Sequence, residues 1–218
     1  MLSRLGAPLV AGLTGAVIFL VLFAVLAEKM LEGDTRHFDD TVRLFVHAHS
    51  STELTAIMRF FSAVGSPLVV SLAAFAACIA LWIAGHPRRA VLIAVTAGGG
   101  SLLMWVLKTG FRRPRPTPFF DTRLPASFSF PSGHAMLSFC LCLSAAVLFS
   151  ANQKSRLVRA VIWIFWVGLS AAIGYSRIYL GVHYPSDVLA GYLAALVWSL
   201  AVGSAYQRWR KARSLPVV

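Results

Sequence analysis

The residues of this chain that are best suited to chemistry fall into three short stretches, 108–116, 131–134 and 176–187. The polar side chains in them that are best suited to this chemistry are Lys108, Arg115, Ser132, His134, Arg177, His183 and Asp187. Arginine presents a planar fork of N–H donors that matches the paired oxygens of a phosphate, and lysine adds a point charge. The three stretches together therefore indicate a binding site for an anion.

The spacing within the stretches adds groups that could act on such an anion. Ser132 and the backbone N–H groups near Gly133 come where the chain turns into an apolar helix, and a helix N-terminus attracts anions. His183 and Asp187 are four residues apart, so the carboxylate can accept the proton of one imidazole nitrogen. Two histidines, His134 and His183, then flank one anion pocket.

Each of these residues also has an ordinary structural interpretation. Lysines and arginines near helix ends often reach to lipid headgroups, and a serine before a helix is usually only a cap. A histidine at a membrane surface is usually solvated, which is the interpretation adopted for His37, His47, His49 and His86. The occurrence of all three stretches in one order favours a functional site over these separate explanations.

The composition indicates a membrane protein that must position these residues among apolar helices. The chain has 218 residues, of which 58% are hydrophobic and 13% charged, with a mean hydropathy of +0.73 and a net charge of +12. The basic residues are divided among short segments between apolar runs, which disfavours nucleic-acid binding. Three cysteines, Cys78, Cys140 and Cys142, lie inside apolar runs without the spacing of a zinc site.

The apolar runs predict an all-α, polytopic membrane protein formed by a single domain over residues 1–218. Segment 28–66 alternates apolar and polar residues at helical spacing, which predicts an amphipathic helical segment on the membrane surface between spans one and two. Six runs are long enough to cross a bilayer or nearly so. The predicted spans are 8–27, 67–85, 90–107, 132–151, 160–175 and 188–206.

The distribution of charge predicts the orientation of the six spans. Basic residues divide equally between the two sides, until the five that belong to the polar stretches are set aside. Those five are Lys108, Arg112, Arg113, Arg115 and Arg177. The remaining basic residues then favour cytoplasmic termini, and the polar stretches face the outer side of the membrane.

The three stretches resemble the signature of a known enzyme family. K-x6-RP at 108–116, PSGH at 131–134 and SR-x5-H-x3-D at 176–187 look like the complete three-part signature of the type 2 phosphatidic acid phosphatase family. That family shares its fold with vanadium haloperoxidases and some soluble acid phosphatases. With the six-span pattern, the resemblance covers nearly the whole chain, and no signature position departs from it.

The resemblance implies a role for each signature residue. His183 would attack phosphorus and form a phosphohistidine, Asp187 would orient it, and His134 would protonate the leaving oxygen. The groups expected to hold the phosphate oxygens are Lys108, Arg115, Ser132, Gly133 and Arg177. The resemblance also implies an enzyme without a metal or other cofactor, and the sequence has no carboxylate cluster of the kind that holds magnesium.

A site between apolar helices suits a lipid phosphate whose tail stays in the bilayer. Phosphatidic acid, phosphatidylglycerol phosphate, undecaprenyl pyrophosphate and a lipid A phosphate all fit this description. Phosphatidylglycerol phosphate and undecaprenyl pyrophosphate are the favoured substrates, and the expected location is an inner membrane. Arg112 and Arg113 lie outside the signature and either favour a diphosphate or face lipid headgroups. No obligate protein partner is evident. The alternatives of other classes are a vanadate-dependent haloperoxidase and a non-enzymatic binder or transporter of anionic lipids.

Overall fold

The structure is a computed structural model that describes residues 3–212, and this range contains eight α-helices and no β-strand. The helices are α1 (Ser3–Glu32), α2 (Arg36–Ala48), α3 (Thr52–Val64), α4 (Pro67–Ile83), α5 (Pro87–Phe111), α6 (Gly133–Ser150), α7 (Arg156–Tyr179) and α8 (Pro185–Ala212). The predicted all-α class is therefore confirmed over the described residues. The longest connection, between α5 and α6, carries most of the basic, proline-rich stretch.

Local sequence explains where several helices begin. Ser51, Ser66 and Ser155 precede α3, α4 and α7, and each side chain accepts a hydrogen bond from a backbone N–H three residues later. Proline occupies the first turn of α4 and of α5, where its missing N–H costs no helical hydrogen bond. The chain leaves α5 through Arg112, which has a left-handed conformation with a φ of 50°.

Five helices of the described chain are long and apolar enough to cross a membrane. They are Leu9–Glu32 of α1, α5, α6, α7 and Pro185–Trp209 of α8. The pair α3 and α4 meets the same criteria together, but the two helices are bent by 50° at the break between them. The count is therefore five, or six if the bent pair is one span, and the six-span arrangement stays a prediction.

Helix α6 lies at the centre of the bundle. Its apolar stretch is 61% buried inside the protein, against 11% to 33% in the other four candidate spans, which leave most of their apolar surface outward. It packs against α5, α7 and α8, while α1 packs along α8. The close approach of α6 and α8 depends on Gly191, where an added Cβ would lie 2.8 Å from the backbone oxygen of Ser132. The N-terminus of α6 is thereby fixed against the start of α8.

Helix α2 turns its polar face inward. Its buried residues are Asp39, Arg43 and Val46, whereas Phe38 and Phe45 are exposed. This inverts the usual burial pattern of an amphipathic helix and suits one whose apolar face meets lipid. The predicted surface location of segment 28–66 stays a prediction, and within this segment α3 forms the bent pair with α4.

One of the four histidines interpreted as solvated is partly covered by the protein. His37, His49 and His86 are exposed, as expected. His47 is only half-exposed because its ring stacks on Phe119 with 4.0 Å between centroids, and its Nδ1 is buried. Aromatic side chains of the 112–132 connection thus cover His47, and no local sequence pattern signals this long-range contact.

Candidate active site

The three polar stretches meet at one end of the helical bundle. Lys108 lies in the last turn of α5, and Ser132 immediately precedes α6. Arg177 lies in the last turn of α7, while His183 and Asp187 lie on either side of the start of α8. The backbone N–H of Ser132 donates to the carbonyl oxygen of Asp187 at 2.9 Å, which joins the second stretch to the third.

His183 has a partner at each of its ring nitrogens. Its Nδ1 lies 3.2 Å from Oδ2 of Asp187, and the same oxygen accepts the backbone N–H of Tyr184 at 2.9 Å. Its Nε2 lies 3.0 Å from Nη1 of Arg115. Because a guanidinium only donates, Nε2 carries the lone pair and Nδ1 donates its proton to the carboxylate. A lone pair on a fixed nitrogen is what a nucleophile requires.

The surroundings of His183 keep its ring neutral. The side chain is 1% exposed, and this burial is the main reason why its pKa falls well below the ordinary value. The positive charges of Arg115, Lys108 and Arg177 lower the pKa further. An anion bound among these cations would offset their charges and raise the pKa of His183 again.

Hydrogen bonds to backbone carbonyls hold two of these three positive side chains in the site. Nζ of Lys108 donates to the carbonyl of Phe128 at 2.5 Å. Arg115 donates from Nε to the carbonyl of Ser127 at 2.7 Å and from Nη1 to that of Val182 at 2.9 Å. These bonds fix the positions of the positive groups and leave their charges uncompensated.

The third cation, Arg177, is held from the opposite side. It is 5% exposed, and its Nη1 donates to the hydroxyl of Ser62 on α3. The ion pairs between described residues include neither Lys108, Arg115 nor Arg177. Buried cations without a counter-charge are unfavourable in isolation, so this arrangement is suited to an anion that supplies the missing negative charge. We call Lys108, Arg115 and Arg177 the open cation group.

The start of α6 adds neutral donors beside the open cation group. Ser132 occupies the N-cap position without making a cap hydrogen bond, and its hydroxyl is buried with no partner in the described chain. An added Cβ at Gly133 would lie 3.7 Å from Cε of Lys108, so the lysine side chain passes directly beside the first turn. An unused hydroxyl and a helix N-terminus next to a lysine make an anion position. The side chain of Ser132 therefore does not cap α6 in this structure.

His134 lies at the wall of a cavity instead of in the buried network. It is half-buried in the first turn of α6, and it lines an open cavity of about 480 Å³ together with Arg59 and Arg123. The structure thus brings six of the predicted residues around His183 and places His134 where the site opens outward.

Sequence reasoning missed a second ionic network, which lies behind Asp187. Arg113 donates to Oδ1 of Asp187 at 2.7 Å and to Oδ2 of Asp39 at 2.8 Å. Asp39 is fully buried, and it accepts the backbone N–H of Ser186 at 2.8 Å and the Ser186 hydroxyl at 2.7 Å. We call Arg113, Asp39 and Asp187 the paired ion group.

The paired ion group connects α2 to the start of α8. The guanidinium of Arg113 also lies over the ring of Tyr184, with 4.0 Å from Cζ to the ring centroid. In the sequence, Asp39 and Arg43 are spaced four apart on one face of a helix, but this spacing does not identify Arg113 as a partner of Asp39. The burial of Asp39 follows from the contact between α2 and the 112–132 connection.

The fold and site define a class of protein, namely an integral membrane helical bundle with a histidine–carboxylate pair next to buried cations. Within the described residues, no three His, Cys, Asp or Glu side chains are grouped so as to hold a metal ion. The sequence profile described as the PAP2 superfamily matches residues 89–211. The chain belongs to the PAP2 superfamily, which is a family of membrane phosphatases, and the resemblance stated from the three stretches is confirmed.

Relatives and a solved structure agree with this assignment. The chain is 28% identical over 187 residues to an undecaprenyl-diphosphatase of Sulfolobus acidocaldarius, covering 81% of this chain and 84% of that protein. It is 35% identical over 115 residues to phosphatidylglycerophosphatase B of Bacillus subtilis, covering 52% and 56%. The crystal structure of a transmembrane PAP2-type phosphatidylglycerolphosphate phosphatase from Bacillus subtilis matches its fold with a TM-score of 0.80, at 24% identity over 89% of this chain and 96% of that one.

Proposed function

We propose that this protein hydrolyses the phosphate of a membrane lipid through a phosphohistidine on His183, without a metal ion. The observation that carries the proposal is the contact of Nε2 of His183 with Arg115, which together with the buried Lys108 and Arg177 has no carboxylate of the described residues within ion-pair distance. The family supports the class of reaction. Undecaprenyl diphosphate and phosphatidylglycerol phosphate are the favoured substrates because relatives are named for these two activities.

In the first step, the open cation group and Ser132 bind the phosphoryl oxygens, with the backbone N–H of Gly133 as a further donor. Arg115 exchanges its contact with His183 for a phosphoryl oxygen, which frees the lone pair on Nε2. Nε2 forms a bond to phosphorus while the bond to the leaving oxygen breaks, and His134 gives that oxygen a proton.

Asp187 stabilises the positive charge that develops on His183 during the attack. Its Oδ2 accepts the Nδ1 proton of the ring and so keeps Nε2 pointed at phosphorus. In the second step, water attacks the phosphohistidine, His134 takes a proton from the water, and the N–P bond breaks to release phosphate. Since phosphoryl transfer needs mostly positioning and charge stabilisation, fixed cations can supply the larger part of the rate enhancement.

The location of the site suits a lipid substrate. The C-terminal ends of α5 and α7 and the N-terminal ends of α6 and α8 share one end of the bundle, so a headgroup can enter the site while the tail stays among the helices. We propose that residues 1–218 form one membrane domain, with cytoplasmic termini and the site on the outer face of the inner membrane. The distribution of basic residues outside the site supports this orientation.

The test is release of inorganic phosphate by the purified, detergent-solubilised protein in the presence of EDTA. The substrates are undecaprenyl diphosphate, phosphatidylglycerol phosphate, phosphatidic acid and a lipid A phosphate, and the control is His183→Ala. We expect release that persists in EDTA and falls at least about ten-thousand-fold in the variant, as for other catalytic nucleophiles. Near-normal turnover by a correctly folded His183→Ala protein would refute the phosphohistidine, and no release from any lipid would favour a binder or transporter.

A further inference from the structure

The cavity lined by His134 holds a second group of cations that the signature does not include. Arg59 reaches it from α3, and Arg123 reaches it from the connection between α5 and α6. Both side chains are exposed, and the cavity has a volume of about 480 Å³, which is within the usual range for ligand sites. Two arginines that come from distant parts of the sequence therefore converge on one opening.

The cavity borders the proposed phosphate site at two of its lining residues, Ser62 and His134. Ser62 lines the cavity, and its hydroxyl also accepts a hydrogen bond from Arg177 of the open cation group. His134 lies on the same wall, and its position in the first turn of α6 follows directly on Ser132 and Gly133. A group that leaves the phosphate site on the side of His134 would enter this cavity.

The donors around the cavity are largely uncommitted. Nη2 of Arg59 donates to the carbonyl of Phe120 at 3.1 Å, and the ion pairs between described residues include neither Arg59 nor Arg123. The hydroxyl of Thr122 is buried without a partner in the same residue range. Asp121 is the one carboxylate on the lining, so the two arginines leave the cavity with a net positive charge.

The other arginines beside the site are arranged differently. Arg113 is one of the two arginines that, from the sequence, could favour a diphosphate. In the structure it forms ion pairs with Asp39 and Asp187. Nε of Arg112 donates to the carbonyl of Thr109, and Arg112 lines a separate cavity of about 400 Å³. The contacts of Arg112 and Arg113 therefore do not support the expectation that they bind the second phosphate of a diphosphate. The uncommitted positive charge on the side of His134 belongs to Arg59 and Arg123.

We propose that Arg59 and Arg123 bind the inner phosphate of a lipid diphosphate, so that this protein prefers diphosphates to monophosphate esters. The proposal rests on the proposed function, because the terminal phosphate must lie in the open cation group for the inner one to lie in the cavity. The two guanidinium groups then stabilise the negative charge that the inner phosphate gains when the bond to the terminal phosphate breaks.

The two substrate classes make different demands on the same site. In a diphosphate, Nε2 of His183 bonds to the terminal phosphorus, the bond from this phosphorus to the bridging oxygen breaks, and the bonding pair stays on the oxygen of a lipid monophosphate. A phosphate ester ionises near pH 6, whereas an alcohol, like water, has a pKa far above the physiological range. A leaving phosphate therefore depends more on charge stabilisation, and a leaving alkoxide depends more on the proton of His134.

The test compares turnover of farnesyl diphosphate with that of farnesyl phosphate in detergent, using the variant Arg59→Gln/Arg123→Gln. We expect kcat/KM for the diphosphate to fall about ten- to a hundred-fold, as for the loss of charge-assisted hydrogen bonds, and that for the monophosphate to change less than about threefold. The inhibition constant of inorganic phosphate, which needs only the open cation group, should also stay within about threefold and serves as the reference if farnesyl phosphate is not turned over.

The matched control is Arg36→Gln/Arg112→Gln, which removes two exposed arginines from the lining of the separate cavity. This variant should leave turnover of both substrates within about threefold of wild type. The proposal is overturned if the Arg59/Arg123 variant keeps wild-type turnover of the diphosphate, or if it loses diphosphate turnover and phosphate inhibition to the same degree. Failure of the proposed function gives a different result, because the wild-type protein would then release phosphate from neither substrate.

Discussion

Two groups of charged side chains lie on either side of His183, and they are built in opposite ways. In the paired ion group, Arg113 lies between two carboxylates, at 2.8 Å from Asp39 and 2.7 Å from Asp187. In the open cation group, the positive side chains contact backbone carbonyls, a hydroxyl and the histidine ring, and no carboxylate. One group is complete within the protein, and the other requires an anion.

This difference separates positioning from binding. The paired ion group has its charges satisfied, so it can hold Asp187, and through it His183, in one orientation before any substrate arrives. The open cation group carries an electrostatic cost that a phosphate relieves, and relief is greatest when negative charge spreads over the phosphoryl oxygens in the transition state. Substitutions in the two groups should therefore affect stability and activity in different proportions.

The largest expected effect on activity comes from the open cation group. Lys108→Met should lower kcat/KM about a hundred- to a thousand-fold, as for the loss of one transition-state donor. The thermal midpoint should stay close to that of wild type, because two lost hydrogen bonds to carbonyls are offset by relief of repulsion among buried cations. Phosphate release and thermal unfolding in one detergent would measure both. A large loss of stability with little loss of activity would contradict this account of Lys108.

A substitution in the paired ion group should lower stability more, and activity less, than the substitution of Lys108. Asp39→Asn leaves the largely buried Arg113 with one carboxylate instead of two, and the loss of one charge-assisted hydrogen bond costs about 1.5–3 kcal/mol. We expect a clearly lower thermal midpoint and a fall in kcat of about ten- to a hundred-fold with little change in KM, because Asp187 loses its support while the phosphate site stays intact.

The neighbouring residue provides the control for this substitution. Asp40 is half-exposed on the same helix and lies 3.7 Å from Arg43, so Asp40→Asn should change stability by less than about 1 kcal/mol and leave kcat unchanged. Equal effects of the Asp39 and Asp40 substitutions would show that α2 contributes charge to the surface and does not position Asp187.

The residues of the open cation group could be identified from the sequence, whereas the contact that forms the paired ion group could not. Lys108, Arg115 and Arg177 belong to a signature whose spacing is fixed by helix ends, and the helical fold could be read from apolar runs. Asp39 and Arg113 could not be paired from sequence, because their contact joins residues 74 positions apart. The same applies to Arg59 and Arg123, since each lies on an element whose polar face is ordinary for a protein surface until the fold brings the two together.

The inward polar face of α2 shows what helical periodicity in segment 28–66 leaves open. Helical spacing indicates that one face is apolar and the other polar, but it does not say which of the two faces the protein. In a membrane protein the apolar face can meet lipid, as the exposed Phe38 and Phe45 indicate. The buried face then carries Asp39 and Arg43, and the polar face of α2 is part of the site's support.

The smallest expected effect is on the pH dependence of stability, and it measures how strongly the open cation group acts on His183. Burial and three nearby cations lower the pKa of His183 in the folded protein, while the unfolded value is about 6.5. The unfolded chain therefore binds a proton more readily. The stability that His183 contributes is fully present above pH 6.5 and is lost as the pH falls toward the folded pKa, by about 1.4 kcal/mol per pH unit.

The thermal midpoint of the wild-type protein should therefore fall more steeply between pH 7 and pH 5.5 than that of His183→Gln, which has no titrating ring. Saturating inorganic phosphate should flatten the wild-type curve, because a bound anion raises the pKa of His183 toward its unfolded value. In Asp39→Asn the open cation group is intact, so phosphate should flatten the curve there as well. An equal effect of phosphate on the pH dependence of the thermal midpoint in the wild-type protein and in His183→Gln would show that the open cation group is not the anion site.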